Sequence, residues 1–149
     1  MKALTTLLVV GMFLMPAALA DDADDVKAAV QGHFAALNAG DVNAYIQYYS
    51  SETSVFAGGG LLGRVHSLEE RRNDFQAGVD AGERRNLQLQ HIEVKVYGNA
   101  AVVTGYLMGT STAADGTVTQ SRQQRTEVLI KQGGQWKAVH NHRSSLFPR

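Results

Sequence analysis

Cysteine is missing from all 149 residues. That excludes disulfide staples, a thiol nucleophile, zinc–thiolate sites and a lipidated N-terminal cysteine together. An excess of charge is missing too, since 14 Lys and Arg face 14 Asp and Glu. No electrostatic footprint for nucleic acid or an anionic membrane follows from such a balance. There is no G-x-S-x-G elbow to present a serine nucleophile. The glycine-rich "AGGGLLG" at 57–63 lacks the lysine and following Ser/Thr of a phosphate loop and reads as a flexible lip to a cavity. No repeat, linker or low-complexity tract interrupts the chain.

What is present begins with a leader. Lys2 precedes the apolar run "LTTLLVVGMFLMP", which is too short to span a bilayer, and Ala18-Leu19-Ala20 supplies small residues at a cleavage position. Residues 1–20 read as a signal peptide cut before Asp21, which predicts a periplasmic or secreted protein with no membrane attachment after cleavage. Residues 21–149 then form one domain, held by its core alone.

The domain opens with helical spacing. Aspartates at 21, 22, 24 and 25 suit a helix N-terminus; Val26, Val30, His33, Phe34 and Leu37 recur along one side, and Gly40 ends it. Asp41 can cap a second helix bearing Tyr45, Ile46 and Tyr49. "TSVF" at 53–56 is a short strand. Ser67 and Glu70 form a capping box for a third helix with Leu68, Phe75 and Val79, which Gly82 stops. From Arg84 the period changes to alternation, broken at "YGNA", "AADG" and "KQGGQ", each a hairpin signal. Apolar parity changes between Leu89 and Ile92, predicting a bulge near His91. Helices then strands give an α+β fold, a curved antiparallel sheet wrapped around three N-terminal helices.

Turn length decides which face each strand residue takes, because a one-residue slip exchanges the faces. Three-residue loops with glycine last are expected at Ala114–Gly116 and Gln132–Gly134. They would pair Lys131 with Gln135, Glu127 with Val139 and Arg125 with Asn141. One face then carries Ala101, Val103, Leu107, Arg125, Glu127, Leu129, Val139, Asn141 and Arg143. The other carries Val102, Tyr106, Val128, Ile130, Trp136, Ala138, His140 and His142. Both are largely apolar, so one is expected on the helices and the other on a second subunit, most simply in a homodimer.

The combination "NAGDVNAY", "TSVF…LLGR" and "RTEVLIKQGGQWKAVHNHRS" resembles the nuclear transport factor 2-like superfamily, also called SnoaL-like or cystatin-like. Within it, the chain is most similar to the association domain of calcium/calmodulin-dependent protein kinase II and bacterial relatives. The resemblance spans nearly all of residues 21–149. It implies a cone-shaped cavity between sheet and helices which, in the association domains, contains several arginines and receives small carboxylates. Of those arginines Arg143 is kept, while Glu127 and Leu107 stand where two others would be. Arg125 offers a second positive group, and a pocket of mixed charge is expected.

Three chemical readings compete. His140 and His142 share a strand face, but a metal site needs further ligands nearby, and His33, His66 and His91 lie on other elements. No metal or cofactor is expected, and the two imidazoles are read as interface groups or partners of the neighbouring strand. A carboxylate enclosed by apolar groups becomes more basic and can act as a general base. Glu127 is the candidate, with Tyr45, Tyr49 or Arg125 as donors to an oxyanion. Against this stands a plain ion pair of Glu127 with Arg125 or Arg143. The arginine pairs at 71–72 and 84–85 read as solvated charges. The resulting expectation is a small-molecule binder using Arg125, Asn141, Arg143, Tyr45 and Tyr49. A cofactor-independent isomerase, cyclase or dehydratase using Glu127 is the alternative.

Overall fold

The computed structural model describes residues 21–56 and 64–146. The expected leader at 1–20 and the glycine-rich lip at 57–63 lie outside the described residues. The element order is α1 (Asp22–Ala39), α2 (Val42–Gln47), β1 (Tyr49–Phe56), β2 (Arg64–Ser67), α3 (Leu68–Asp80), β3 (Arg84–Tyr97), β4 (Ala100–Thr112), β5 (Val118–Gln132) and β6 (Gln135–Ser145). The fold is α+β, with a curved sheet closing around the helices.

Local chemistry sets the helix ends. The Asp21 carboxylate accepts from the Ala23 N–H, and Gly40 closes α1 in the left-handed region at φ 70°. Asp41 caps α2 by accepting from the Ala44 N–H at 2.9 Å. In α3 the Ser67 hydroxyl and the Glu70 carboxylate each accept the other's backbone N–H at 3.1 Å, the predicted capping box. Such a cap contributes about 1 kcal/mol. Val26, Val30 and Phe34 of α1 then bury against Leu87, Leu89, Val103 and Leu129 of the sheet. The Asn38 amide fastens α1 to the β3 edge, donating to Leu87 O and accepting from Leu87 N, both at 2.8 Å.

The sheet order is β2-β1-β6-β5-β4-β3. One pair departs from the antiparallel expectation: β1 runs parallel to β6. Tyr49, placed on α2 by periodicity, starts β1 instead. The bulge near His91 is present; the residue sits at φ 51°, and the β3–β4 register shifts between Gln90 and Glu93. Between β4 and β5 the loop is the predicted one. The Ala113 N–H donates to Thr117 O, and Gly116 adopts φ 86°.

The last hairpin corrects the expected pairing. Its turn has two residues, Gly133 and Gly134, so Lys131 faces Trp136 rather than Gln135. Further along, the register shifts between Val128 and Leu129, leaving Val139 as an extra residue, and Arg125 lands opposite Arg143 and Glu127 opposite Asn141. The shorter turn and the bulge each move the register by one residue, two in all, so the pairing differs from the expected one while the alternation of faces is restored. The four residues 125, 127, 141 and 143 therefore share the concave face as expected. Trp136 and Ala138, expected outside, lie on the near side of the bulge and are buried in the core.

Candidate functional site

The sheet and helices enclose a cavity of about 340 Å³. Pockets for ligands run from roughly 300 to 1,000 Å³, so this one suits a small molecule. Phe34 and Leu37 of α1, Tyr45 of α2, Tyr49 of β1 and Phe75 of α3 supply much of its apolar wall. Arg125, Asn141 and Arg143 come from the closing strands, with Ser111, Ser121 and Gln123 toward one end. The sequence-predicted residues Arg125, Asn141, Arg143, Tyr45 and Tyr49 are thus brought together around one cavity.

Glu127 is placed differently. It is 0% exposed and does not line the cavity. Its carboxylate accepts from the Arg125 guanidinium on one oxygen and from the Tyr48 hydroxyl on the other. Burial works against the charged form of Arg125, but the adjacent Glu127 carboxylate together with Tyr49 and Tyr48 more than offsets it and holds the guanidinium pKa above its ordinary value. Burial and the same carboxylate also push the Tyr48 hydroxyl well above the phenol range, so it stays a donor. Arg125 is thereby fixed, 5.3 Å from the Phe34 ring centre.

Arg71 was not legible as a site residue. Read as a solvated charge, it is instead half-buried on α3, and its guanidinium carbon lies 3.8 Å from the centre of the Tyr49 ring. Arg85, read the same way, also reaches the cavity wall but is held by Glu83 at 2.5 Å. Among the described residues, neither Arg71 nor Arg143 has a carboxylate partner. Nε and one terminal nitrogen of Arg71, and Nε of Arg143, are enclosed without an acceptor among the described residues. Each unpartnered buried donor costs about 1–3 kcal/mol, more where the group is charged.

His33 was assigned only to the buried side of α1. It lines the cavity, and its Nε2 lies 3.3 Å from the Tyr49 hydroxyl, which in turn donates to Tyr45 at 3.4 Å. Burial, then the nearby Arg125 and Arg71, lowers the His33 pKa well below the usual imidazole value. The ring is neutral at physiological pH. Burial and neighbouring Tyr45 raise the Tyr49 pKa. The wall therefore offers cations and neutral donors, with Asp74 the one carboxylate among its described residues.

On the convex face, His140 Nδ1 lies 2.7 Å from the Ser54 hydroxyl of neighbouring β1. His142 is exposed, and both rings meet Phe56 edge-on. No cluster of three or more potential metal ligands occurs among the described residues.

An α+β cone, a curved sheet around helices with a basic, aromatic-walled cavity between them, is the fold class of this chain. Residues 22–146 match the calcium/calmodulin dependent protein kinase II association domain family, and the chain belongs to it. Solved structures agree on the fold. A nuclear transport factor 2-like superfamily protein from Salmonella enterica serovar Typhimurium superposes with TM-score 0.70 at 20% identity, covering 84% of this chain and 91% of its own. A ketosteroid isomerase-like protein from Erwinia carotovora gives 0.67 at 21%, covering 87% and 99%. A candidate calcium/calmodulin-dependent protein kinase II association domain from Xanthomonas campestris gives 0.64 at 21%, covering 81% and 85%. Among curated proteins none matches the chain.

Proposed function

We propose that this protein binds a small organic carboxylate in the cone, with Arg143 and Arg71 as the anion's partners. The carrying observation is the pair of guanidiniums in one cavity with enclosed donors and no acceptor among the described residues. Water can satisfy a neutral donor, but two cations lining one cavity without a carboxylate partner among the described residues favour an anion. Arg125, committed to Glu127, shapes the pocket and adds positive potential. Phe34, Tyr45 and Phe75 take the apolar body of the ligand, and Asn141 its remaining polar atoms.

The isomerase or dehydratase alternative needs a base facing the ligand. Glu127 is sealed behind Arg125 and Tyr48, which favours binding over turnover through that residue. Export after cleavage before Asp21 and pairing of two copies through the convex face, where Tyr106 is 41% exposed, complete the proposal. Native mass spectrometry of the purified protein would report mature mass, oligomer size and any retained small molecule together.

Calorimetry with benzoate and its neutral isostere benzamide tests the site. The expected result is saturable benzoate binding that weakens with salt and at least about tenfold weaker benzamide binding, as loss of a charge-assisted bond predicts. Equal affinities, or no binding across small mono- and dicarboxylates, would remove the assignment.

A further inference from the structure

A second concavity of about 500 Å³ lies behind the cone, between the helices and the last hairpin. Its walls include Ala29, Gly32 and His33 of α1, Ala44 of α2, Tyr48 and Trp136. His33 belongs to the walls of both cavities, and its ring stacks on Tyr48 with centres 4.3 Å apart. These two rings form part of the partition between them.

Two observations point to an occupant. The first is polar. Trp136 is 5% exposed and His33 3% exposed, yet Trp136 Nε1 and His33 Nδ1 are both enclosed without a partner among the described residues. A buried indole N–H ordinarily finds an acceptor. The second is Gly32. It sits inside an 18-residue helix, where glycine is a poorer choice than alanine. A Cβ added there would meet nothing within 4 Å. The fold itself sets no demand for glycine at that position, whereas a flat guest against the helix would.

The surrounding chemistry selects the guest. When the Tyr49 hydroxyl donates to Tyr45, its oxygen is matched by the His33 tautomer that carries its proton on Nε2, which leaves Nδ1 as an acceptor. The indole offers only a donor. A neutral amide group satisfies both, its carbonyl taking the indole N–H and its N–H meeting the imidazole. The rim charges favour neutrality, because Asp25 and Lys137 have opposite signs and the Lys137 ammonium already donates to Gln47 O. We propose that this concavity is a second small-molecule site, for a planar, uncharged ring amide or imide, separate from the carboxylate cavity.

Trp136 is the chain's one tryptophan, so a single indole resonance reports on the site. Uracil and nicotinamide would be titrated into ¹⁵N-labelled protein, with and without saturating benzoate. The expected result is a saturable downfield shift of the indole N–H with at least one of them, in both conditions. Gly32→Leu, and independently Ala44→Leu, should abolish that shift while leaving the folded spectrum and benzoate response in place. An indole resonance unmoved by either probe would overturn the proposal. So would a shift that survives both substitutions, or one that benzoate alone reproduces. Because benzoate is followed separately, failure here and failure of the carboxylate reading give different results.

Discussion

Arg125 on β5 stands directly opposite Arg143 on β6, two like charges on the wall of one cavity. Facing residues on adjacent strands have Cβ atoms about 5 Å apart, where like charges repel. Glu127, two residues along β5, neutralises one of the pair. Burial, and then the proximity of Arg125, lowers the Arg143 pKa, but a guanidinium starts so far above neutrality that it remains charged. The asymmetry divides the labour: Arg125 is held, and Arg143 is left for a ligand.

Arg143→Ala should therefore lose carboxylate binding without losing the fold. Removing one charge-assisted partner predicts at least a tenfold rise in Kd, from about 1.5–3 kcal/mol. The melting temperature should stay level or rise slightly, since a repulsion disappears with the ligand contact. Calorimetry and thermal melts on the same preparation check both halves; unchanged affinity would remove Arg143 from the site.

The Arg125–Glu127 pair should behave in the opposite way. Glu127→Ala leaves a buried guanidinium facing Arg143 uncompensated, and breaking a buried pair costs about 3–5 kcal/mol. Arg125→Met combined with Glu127→Leu removes both charges and keeps the volume, so most of that loss should return. Urea midpoints of the single and double variants measure the recovery. A single variant as stable as wild type would contradict the sealed geometry.

Elements set by neighbouring residues were legible in the sequence. The caps at Asp21, Asp41 and Ser67, the loop at Gly116 and the bend at His91 each follow from side chains within a few positions. The bulge at Val139 carries no such marker. It accommodates the chain entering β1: Tyr48 O, just before the strand, accepts from Ala138 N, and the Thr53 hydroxyl of β1 donates to Ala138 O from 85 positions away. Face assignment for Asn141 and Arg143 came out correctly because the tight turn and the bulge cancel beyond it, while Trp136 and Ala138 lie before the bulge and were misplaced. Arg71 escaped for a similar reason: its ring partner Tyr49 comes from another element. Charge pattern along a helix cannot reveal that.

His33 gives a pH dependence whose sign is fixed. In the folded chain its pKa lies well below the ordinary value; in the unfolded chain it titrates near about 6.5. Below that pH the unfolded state binds a proton that the folded state refuses, so stability falls as acidity rises. The contribution is up to about 1.4 kcal/mol per pH unit between the two values. Urea midpoints from pH 8 to pH 5 should decline more steeply for wild type than for His33→Phe, which keeps an aromatic ring but cannot take up a proton. Parallel curves would show that His33 is not held neutral by the fold.

Gly109 tests whether sheet curvature makes the cavity. It sits on β4 at φ 133°, opposite Leu87 of β3 and Ser121 of β5. A Cβ there would lie 2.0 Å from Asn86 O and 3.0 Å from the Leu87 Cα, both backbone atoms. No rotamer change can relieve such contacts, so Gly109→Ala must push β3 away from β4. Leu87 is a cavity wall residue and the strand position that Asn38 clamps to α1, so the displacement reaches both core and pocket. The strain of a disallowed backbone is about 1–3 kcal/mol, and the clash adds to it. Gly109→Ala should lower stability by at least about 2 kcal/mol on that basis and weaken benzoate binding in the protein that still folds. Gly32→Ala, where the added methyl meets open space, should instead gain about 0.5–1 kcal/mol from helix propensity. Denaturant titrations of the two variants beside wild type would separate a glycine demanded by close strand approach from one that the chain's own packing does not require. If Gly109→Ala were as stable as wild type, the tight β3–β4 approach and the cavity shape built on it would both be wrong.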